Sequence, residues 1–190
     1  MSNIWLISDT HFNHDKPFIW EARGFKSVNE MNEIIIQRWN EVVQSDDIVY
    51  HLGDVIMGDL NSGIELIKKL KGHIRLAIGN HDTPARLEAF KELFDDIQFG
   101  YRILKKKKTF LLSHYPQLTG NYDNSQTYSI HGHTHSFDLF DENNLMYNVS
   151  CEAQNCTPIL LEDAIQQIRD YKCLCKKALI TTIVTLDKNK

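Results

Sequence analysis

Seven residues of this 190-residue chain have side chains that bind metal ions and stand at the ends of short apolar segments. They are Asp9, His11, Asp54, Asn80, His114, His133 and His135. Mixed oxygen and imidazole ligands suit Mn, Fe, Zn or Ni better than Ca or Mg, which prefer oxygen alone. Seven such groups exceed the needs of one tetrahedral site, so the economical prediction is two metal ions that share a carboxylate.

Apolar segments precede these residues and must position them. The first, Ile4 to Ser8, predicts a strand buried on both faces, and it ends at Asp9 and His11. The later segments end in Gly53-Asp54, Gly79-Asn80-His81-Asp82, His114 and Gly132-His133-Thr134-His135. Because ligands bind at the carboxyl ends of strands in open α/β sheets, we expect these side chains to meet at one edge.

In this order, and with these glycines, the motifs resemble those of the calcineurin-like metallophosphoesterases. That family has Asp-x-His, Gly-Asp, Gly-Asn-His-(Asp/Glu), a lone His and Gly-His-x-His, and the resemblance covers roughly residues 4 to 160. It implies an α/β fold in which two mixed β-sheets pack as a sandwich with flanking helices. It also implies a metal-dependent phosphoesterase.

The resemblance further implies how the ligands are divided. Asp9, His11 and His135 would hold one ion, and Asn80, His114 and His133 would hold the other. Asp54 would bridge both. Two ions roughly 3.5–4 Å apart can share a hydroxide at neutral pH and clamp the phosphoryl oxygens during in-line displacement.

Two further residues are candidates for catalysis. His81 directly follows Asn80, and the resemblance implies that it faces the substrate and protonates the leaving oxygen or stabilises charge on the phosphoryl group. Asp82 either orients His81 or caps the following helix, where an acid is favourable in any case.

The remaining histidines near these motifs are not predicted to be metal ligands. His51 is expected to be a core residue or to support a ligand, because it alternates with apolar neighbours on a buried strand. His14 and His131 are balanced between ligand support and substrate contact.

The predicted function is cleavage of a phosphodiester or small nucleotide by a metal-bridging hydroxide. Protein phosphatase activity is not expected, because Gly53-Asp54 is followed by Val55 to Gly58 without an acidic or arginine partner, and the longer Asp-Arg-Gly extension of those enzymes is absent. One alternative is a catalytically idle scaffold of the same fold, but such a scaffold would be free to lose ligands. Another is a nuclease subunit, which in larger relatives uses an added DNA-binding domain.

Composition sets the broad class. The length predicts a single domain over 1–190, with 171–190 as a C-terminal extension, and the net charge of -4 argues against extended nucleic-acid binding. No apolar run reaches membrane-spanning length, and a basic leader is absent, so a cytoplasmic protein is expected. The four cysteines are then predicted to be reduced, small and buried rather than a zinc site.

The remaining pattern predicts β-α-β-α-β followed by strands from about Ile97. Capping boxes at Ser27-x-x-Glu30 and Ser62-x-x-Glu65 predict the starts of two helices. Residues 12–24 and 115–127 are predicted to be loops outside the core that overhang the site. A helix is expected from Leu160 to Ile168, and the β-branched run from Leu179 to Leu186 predicts a strand able to pair with another subunit.

Overall fold

The computed structural model describes residues 2–119, 127–140 and 146–187, with side chains as far as residue 174 in the last range. These residues form the following elements in chain order: β1 (Ile4–Ile7), α1 (Pro17–Trp20), α2 (Val28–Val42), β2 (Ile48–His51), α3 (Leu60–Ile67), β3 (His73–Ala77), α4 (Pro84–Phe90), β4 (Asp96–Gln98), β5 (Gly100–Lys105), β6 (Lys108–Ser113), β7 (Thr127–His131), β8 (Tyr147–Asn148), β9 (Ile159–Leu160) and α5 (Leu161–Asp187).

The first sheet has the strand order β4-β3-β2-β1-β9. Strands β1 to β4 are parallel, and the short β9 joins β1 antiparallel. Helices α2, α3 and α4 connect the parallel strands, as the β-α-β-α-β pattern predicts. Met31, Ile35 and Trp39 of α2 are fully buried in one hydrophobic cluster with Ile7 and Val49 of the sheet. The helices therefore cover one face of this sheet.

The second sheet has the order β5-β6-β7-β8, with an antiparallel hairpin followed by parallel pairs. Leu6 and Tyr50 of the first sheet share a hydrophobic cluster with Phe110 and Ile130 of the second. The two sheets thus pack face to face, and the predicted fold of two mixed sheets with flanking helices is confirmed.

Two helix starts were predicted from capping boxes, and one prediction is wrong. Ser27 Oγ accepts the Glu30 N–H at 3.2 Å, as expected. Helix α3, however, begins at Leu60, and the Asp59 carboxylate caps it by accepting the Ser62 N–H at 2.8 Å. Asp and Ser are comparable caps, but only Asp adds a negative charge at the positive end of the helix.

The C-terminal segment corrects another prediction. Residues 179–186 do not form a strand; the backbone continues the helix that begins at Leu161 as far as Asp187. Once a helix is nucleated, each further residue adds a hydrogen bond, and Ile, Val or Thr costs less than about 0.7 kcal/mol relative to Ala. The predicted pairing of subunits through a C-terminal strand therefore loses its basis. No helix in the described part of the chain is long and apolar enough to cross a bilayer.

Candidate metal centre

The predicted ligands follow β1, β2, β3, β6 and β7, so the two sheets bring five loops to one edge of the sandwich. Several ligands share an unusual backbone conformation, with φ between 46° and 68°. They are Asp9, His11, Asp54, His133 and His135. This left-handed region costs a non-glycine residue roughly 1–2 kcal/mol. Such strain concentrates at functional sites, where the surrounding structure holds it in place.

The first ligand set is Asp9, His11 and His135. The Nε2 atoms of His11 and His135 lie 3.2 Å apart, and they lie 3.8 Å and 3.7 Å from Asp9 Oδ1. These separations place the three atoms on a circle of radius about 2.1 Å, which is the distance at which Zn²⁺ binds imidazole and carboxylate ligands. Asp9 Oδ1 is buried and has no hydrogen-bond partner among the described residues, so the set fits a cation at its centre.

The second ligand set is Asn80, His114 and His133. His114 Nε2 lies 2.8 Å from Asn80 Oδ1 and 3.2 Å from His133 Nδ1. His114 Nδ1 lies 2.8 Å from the Leu52 carbonyl oxygen and must carry the proton to donate to it. His114 Nε2 therefore presents a lone pair to the amide oxygen of Asn80, which is another electron-pair donor. A shared cation would reconcile these two atoms.

Asp54 lies between the two sets. Its Oδ2 is 3.7 Å from His11 Nε2 and 3.5 Å from His114 Nε2. Its Oδ1 accepts the His81 N–H at 2.8 Å, and this bond fixes the carboxylate plane. Ligand atoms of Asp9, Asp54 and His114 also lie within 4.8 Å of one another. Asp54 is therefore placed where a carboxylate could serve both sets.

Two glycines of the motifs let the ligand loops approach closely. A Cβ at Gly79 would collide with the backbone nitrogen and Oδ1 of Asp54. A Cβ at Gly132 would collide with Ser8 Oγ and Asp9 Oδ2. Both glycines precede ligands, so the same residue that brings a loop close also aims the next side chain.

A buried ion pair that sequence reasoning missed supports the first set. Arg23 donates to the backbone carbonyls of Asp9 at 2.7 Å and Thr10 at 3.1 Å, and its guanidinium lies 2.8 Å from Glu152 Oε1. Glu152 Oε1 in turn accepts from His135 Nδ1 at 2.9 Å. The side chains of Arg23 and Glu152 are 1% and 5% exposed. We call this pair the brace.

The brace corrects the interpretation of residues 12–24 as a loop outside the core. Phe12 is fully buried, and the Arg23 side chain points inward beneath the ligands. Neither end of the brace has a local sequence signal, because its two residues lie 129 positions apart.

The ionisation states of Glu152 and His11 favour cation binding, whereas burial of Asp9 opposes its ionisation. Burial would raise the pKa of Glu152, but its hydrogen bond with His135 and the charge of Arg23 lower that pKa to about 2. Glu152 is therefore ionised and holds the proton on His135 Nδ1, which frees Nε2 for a metal. Burial and then the charge of Arg23 lower the pKa of His11, so its imidazole is neutral as a ligand must be. Burial raises the pKa of Asp9 to about 6, although the nearby His114 and His135 oppose this.

His81 lies at the open side of the centre. Its side chain is 41% exposed, and its Nε2 is 3.9 Å from Asp54 Oδ2. The backbone is held from both directions, since its N–H donates to Asp54 and its carbonyl accepts from Arg86 Nη1 at 2.5 Å. The position suits contact with a substrate, and the catalytic role stays a prediction.

The Asp82 carboxylate binds backbone N–H groups, and this differs from both predicted roles, orientation of His81 and capping of α4. Its buried carboxylate accepts the N–H groups of Asp54, Val55 and Gly79 at 2.9, 3.1 and 2.8 Å. Among the described contacts, none joins it to His81, and Thr83 is the residue at the start of α4. Asp82 therefore ties two ligand loops together.

Three other histidines surround the centre. His51 is buried, and its Nε2 lies 2.9 Å from Thr10 Oγ1, so it supports the loop after β1. His131 is buried, with Nδ1 2.8 Å from the Gly132 carbonyl oxygen. The His14 ring lies edge-on to His11, with centroids 5.6 Å apart. Of the three, His14 alone is partly exposed beside the ligands.

The cysteines divide by location. Cys151 and Cys156 are buried in the first hydrophobic cluster, as predicted. Cys173 is exposed, which corrects the expectation that all four are buried, and the side chain of Cys175 lies outside the described residues.

Comparison with known proteins agrees with this geometry. The model of the calcineurin-like phosphoesterase superfamily domain matches residues 2–155. An uncharacterised protein of Methanocaldococcus jannaschii is 36% identical over 182 residues, covering 90% of this chain and 94% of that protein. The gene 66 protein of Mycobacterium phage L5 is 30% identical over 166 residues, covering 72% and 79%.

A solved structure is also similar. A protein of unknown function from Aquifex aeolicus superposes with a TM-score of 0.65 at 27% identity, covering 88% of this chain and all of that one. The matched family domain spans every predicted ligand and the strands from β1 to β8. This chain therefore belongs to the calcineurin-like phosphoesterase superfamily.

Proposed function

We propose that this protein is a dinuclear metal-dependent phosphohydrolase that cleaves a small phosphoester, either a phosphodiester or a small nucleotide. Membership of a phosphoesterase family supports the reaction class. The observation that carries the dinuclear proposal is the Asp54 carboxylate, whose Oδ2 lies within 3.7 Å of a ligand nitrogen from each set.

The donor atoms fit divalent transition metals. Each set combines imidazole nitrogens with oxygen donors, which suits Mn, Fe, Zn or Ni, and we propose Mn as the first ion to test. Asp9, His11 and His135 would hold one ion, and Asn80, His114 and His133 the other, with Asp54 shared. Bound divalent ions supply positive charge at the phosphoryl oxygens and lower the pKa of water toward neutrality.

The residues around the ligands have separate tasks in this proposal. His81 faces the open side and would donate a proton to the leaving oxygen or stabilise its charge. Asp82 would keep the loops of Asp54 and Asn80 in register through the three N–H groups it accepts. The brace would fix the orientation of His135.

The proposal is tested by loading purified protein with Mn²⁺ and measuring metal content, anomalous diffraction from crystals, and hydrolysis of 4-nitrophenyl esters. We expect two ions flanking Asp54 and hydrolysis that a chelator abolishes. His135→Ala should lose metal and activity, whereas His73→Ala, which removes an exposed histidine paired with Asp95, should lose neither. One ion per chain, or hydrolysis that survives the chelator, would contradict the proposal.

A further inference from the structure

Basic residues are missing from half of the candidate site. Between residues 109 and 168 the sequence contains neither Lys nor Arg. This stretch supplies His114, His133 and His135, together with the described residues 114–119 and 132–140 that follow β6 and β7. A substrate phosphate entering from this side meets imidazoles and neutral or acidic residues.

The two arginines of the other half, Arg23 and Arg86, already donate to acceptors within the protein. Arg23 is buried, and its guanidinium serves Glu152 and the carbonyls of Asp9 and Thr10. Arg86 donates to the carbonyls of His81 and Met57. The loops after β1, β2 and β3 otherwise add only Lys16 and Lys26. The protein thus offers few cations to a phosphate beyond those its ligands would bind.

This shortage favours one charge state of substrate. A phosphomonoester dianion or a polyphosphate carries extra charge and oxygen atoms, which proteins usually meet with Arg or Lys. A phosphodiester has a single negative charge and two non-bridging oxygens. Two divalent ions can accept both oxygens without help from a basic side chain.

An exposed aromatic ring adjoins the second ligand set. The Tyr115 ring centroid lies 4.6 Å from that of His133 and 5.1 Å from that of His114. Tyr115 is 49% exposed, although its ring is large and partly apolar. A ring that contacts two ligands and also faces solvent is placed to stack with a planar group attached to the bound phosphate.

We propose that the centre takes a monoanionic phosphodiester with a planar aromatic substituent, such as a nucleobase, and that Tyr115 receives that substituent. This inference rests on the proposed phosphohydrolase function and defines its substrate class.

The first test compares three substrates that release 4-nitrophenolate. Thymidine 5′-(4-nitrophenyl phosphate) and methyl 4-nitrophenyl phosphate are diesters that differ in the group that stays behind, and 4-nitrophenyl phosphate is the monoester. We expect kcat/KM to be highest for the thymidine diester, by about tenfold or more over the methyl diester, in line with the usual strength of base stacking on an aromatic side chain. The monoester should be the poorest of the three.

The second test uses variants and a binding measurement. Tyr115→Ala should raise KM for the thymidine diester, so that the ratio of its kcat/KM to that of the methyl diester falls close to one. Tyr115→Phe should keep the preference for the thymidine diester. Phe18→Ala removes another exposed ring, 5.6 Å from His14, and should leave the ratio unchanged. Calorimetry on Mn²⁺-loaded protein should show that Tyr115→Ala weakens binding of thymidine 5′-monophosphate more than binding of methyl phosphate.

Each contrary outcome refutes one part of the substrate proposal. A monoester hydrolysed faster than both diesters refutes the charge argument. Equal kcat/KM for the two diesters refutes the aromatic subsite, and so does a Tyr115→Ala variant that keeps the wild-type ratio. If none of the three esters is cleaved, the phosphohydrolase proposal itself fails, and the calorimetric comparison still decides whether Tyr115 receives a base.

Discussion

Asp9, His11 and His135 are held by buried charges, whereas Asn80, His114 and His133 are held mainly by backbone and by one another. The first set contains its own carboxylate, and the brace fixes His135 Nδ1 at 2.9 Å. The second set consists of neutral ligands, and Asn80 is exposed to solvent. This set is held by the 2.8 Å contact between His114 Nδ1 and the Leu52 carbonyl oxygen, and by the His133 N–H, which donates to Asp9 Oδ2 at 3.0 Å.

The difference teaches how two similar sets can have unequal affinities. Charge count and rigidity both tune the affinity of a metal site, and the first set has the advantage in each. We therefore expect two binding steps, with the ion at the first set held more tightly. The ion at the second set, beside Tyr115 and solvent, should exchange more readily.

The largest effect is expected from Asp54, because this carboxylate is proposed to serve both ligand sets and its loss should weaken both. Asp54→Asn keeps a hydrogen-bond acceptor for the His81 N–H but cannot balance two dications. Hydrolysis should fall to background, and both Mn²⁺ binding steps should weaken in a calorimetric titration. Asp95→Asn, at an exposed aspartate, is the control. Full activity with unchanged metal content in Asp54→Asn would refute the shared site.

His81 should separate chemistry from metal binding. If it belongs to neither set, His81→Ala should retain both ions and lose roughly 10²–10⁴-fold in rate on an alkyl ester, the usual worth of a positioned proton donor. The loss in rate should be smaller for a nitrophenyl ester, because nitrophenolate leaves without protonation. His133→Ala should instead lose metal and slow the hydrolysis of both esters. Metal loss in His81→Ala, or equal losses on both esters, would argue against the acid role.

Removing the charge of the brace should affect one set only. Glu152→Gln keeps the size of the side chain but no longer fixes the protonated His135 Nδ1 as strongly. We expect the tighter Mn²⁺ step to weaken by about 10–100-fold, as is usual when the partner of a metal-binding histidine is lost, with the weaker step unchanged. Glu162→Gln, which alters a partly exposed pair with Lys105, is the matched control. Equal weakening of both steps would show that the brace supports the whole centre.

The smallest effect is expected from adding charge to the weaker set. Asn80→Asp is nearly isosteric and gives that set a carboxylate of its own. The weaker Mn²⁺ step should tighten by up to about tenfold, which narrows the gap between the two steps. The same calorimetric titration measures this. An unchanged gap would mean that rigidity, and not charge, distinguishes the two sets.

The ligands could be predicted from sequence because each stands at the end of an apolar segment, and all but His114 lie next to a glycine or within two residues of another ligand. Gly79-Asn80 and Gly132-His133 are local signals, since the close approach of the loops requires the glycine and the ligand follows it. The parallel strands could also be predicted from local sequence, because a short β-α-β unit places its two strands parallel and next to each other.

Features that depend on distant partners could not be predicted. The sequence around Arg23 indicates a polar loop, and only the fold brings it to Glu152. Residues 179–186 have a local preference for strand, which continuation of α5 overrides. Within the predicted loop at 115–127, residues 120–126 lie outside the described residues.

The left-handed backbone at five predicted ligand positions creates a conflict between thermal stability and metal binding. At His133, where φ is 68°, glycine would relieve roughly 1–2 kcal/mol of conformational strain and would delete a ligand. Selection for thermal stability alone would therefore favour glycine over a metal-binding side chain at these positions. A relative of the same fold that binds no metal is therefore expected to carry glycine at some of these five positions.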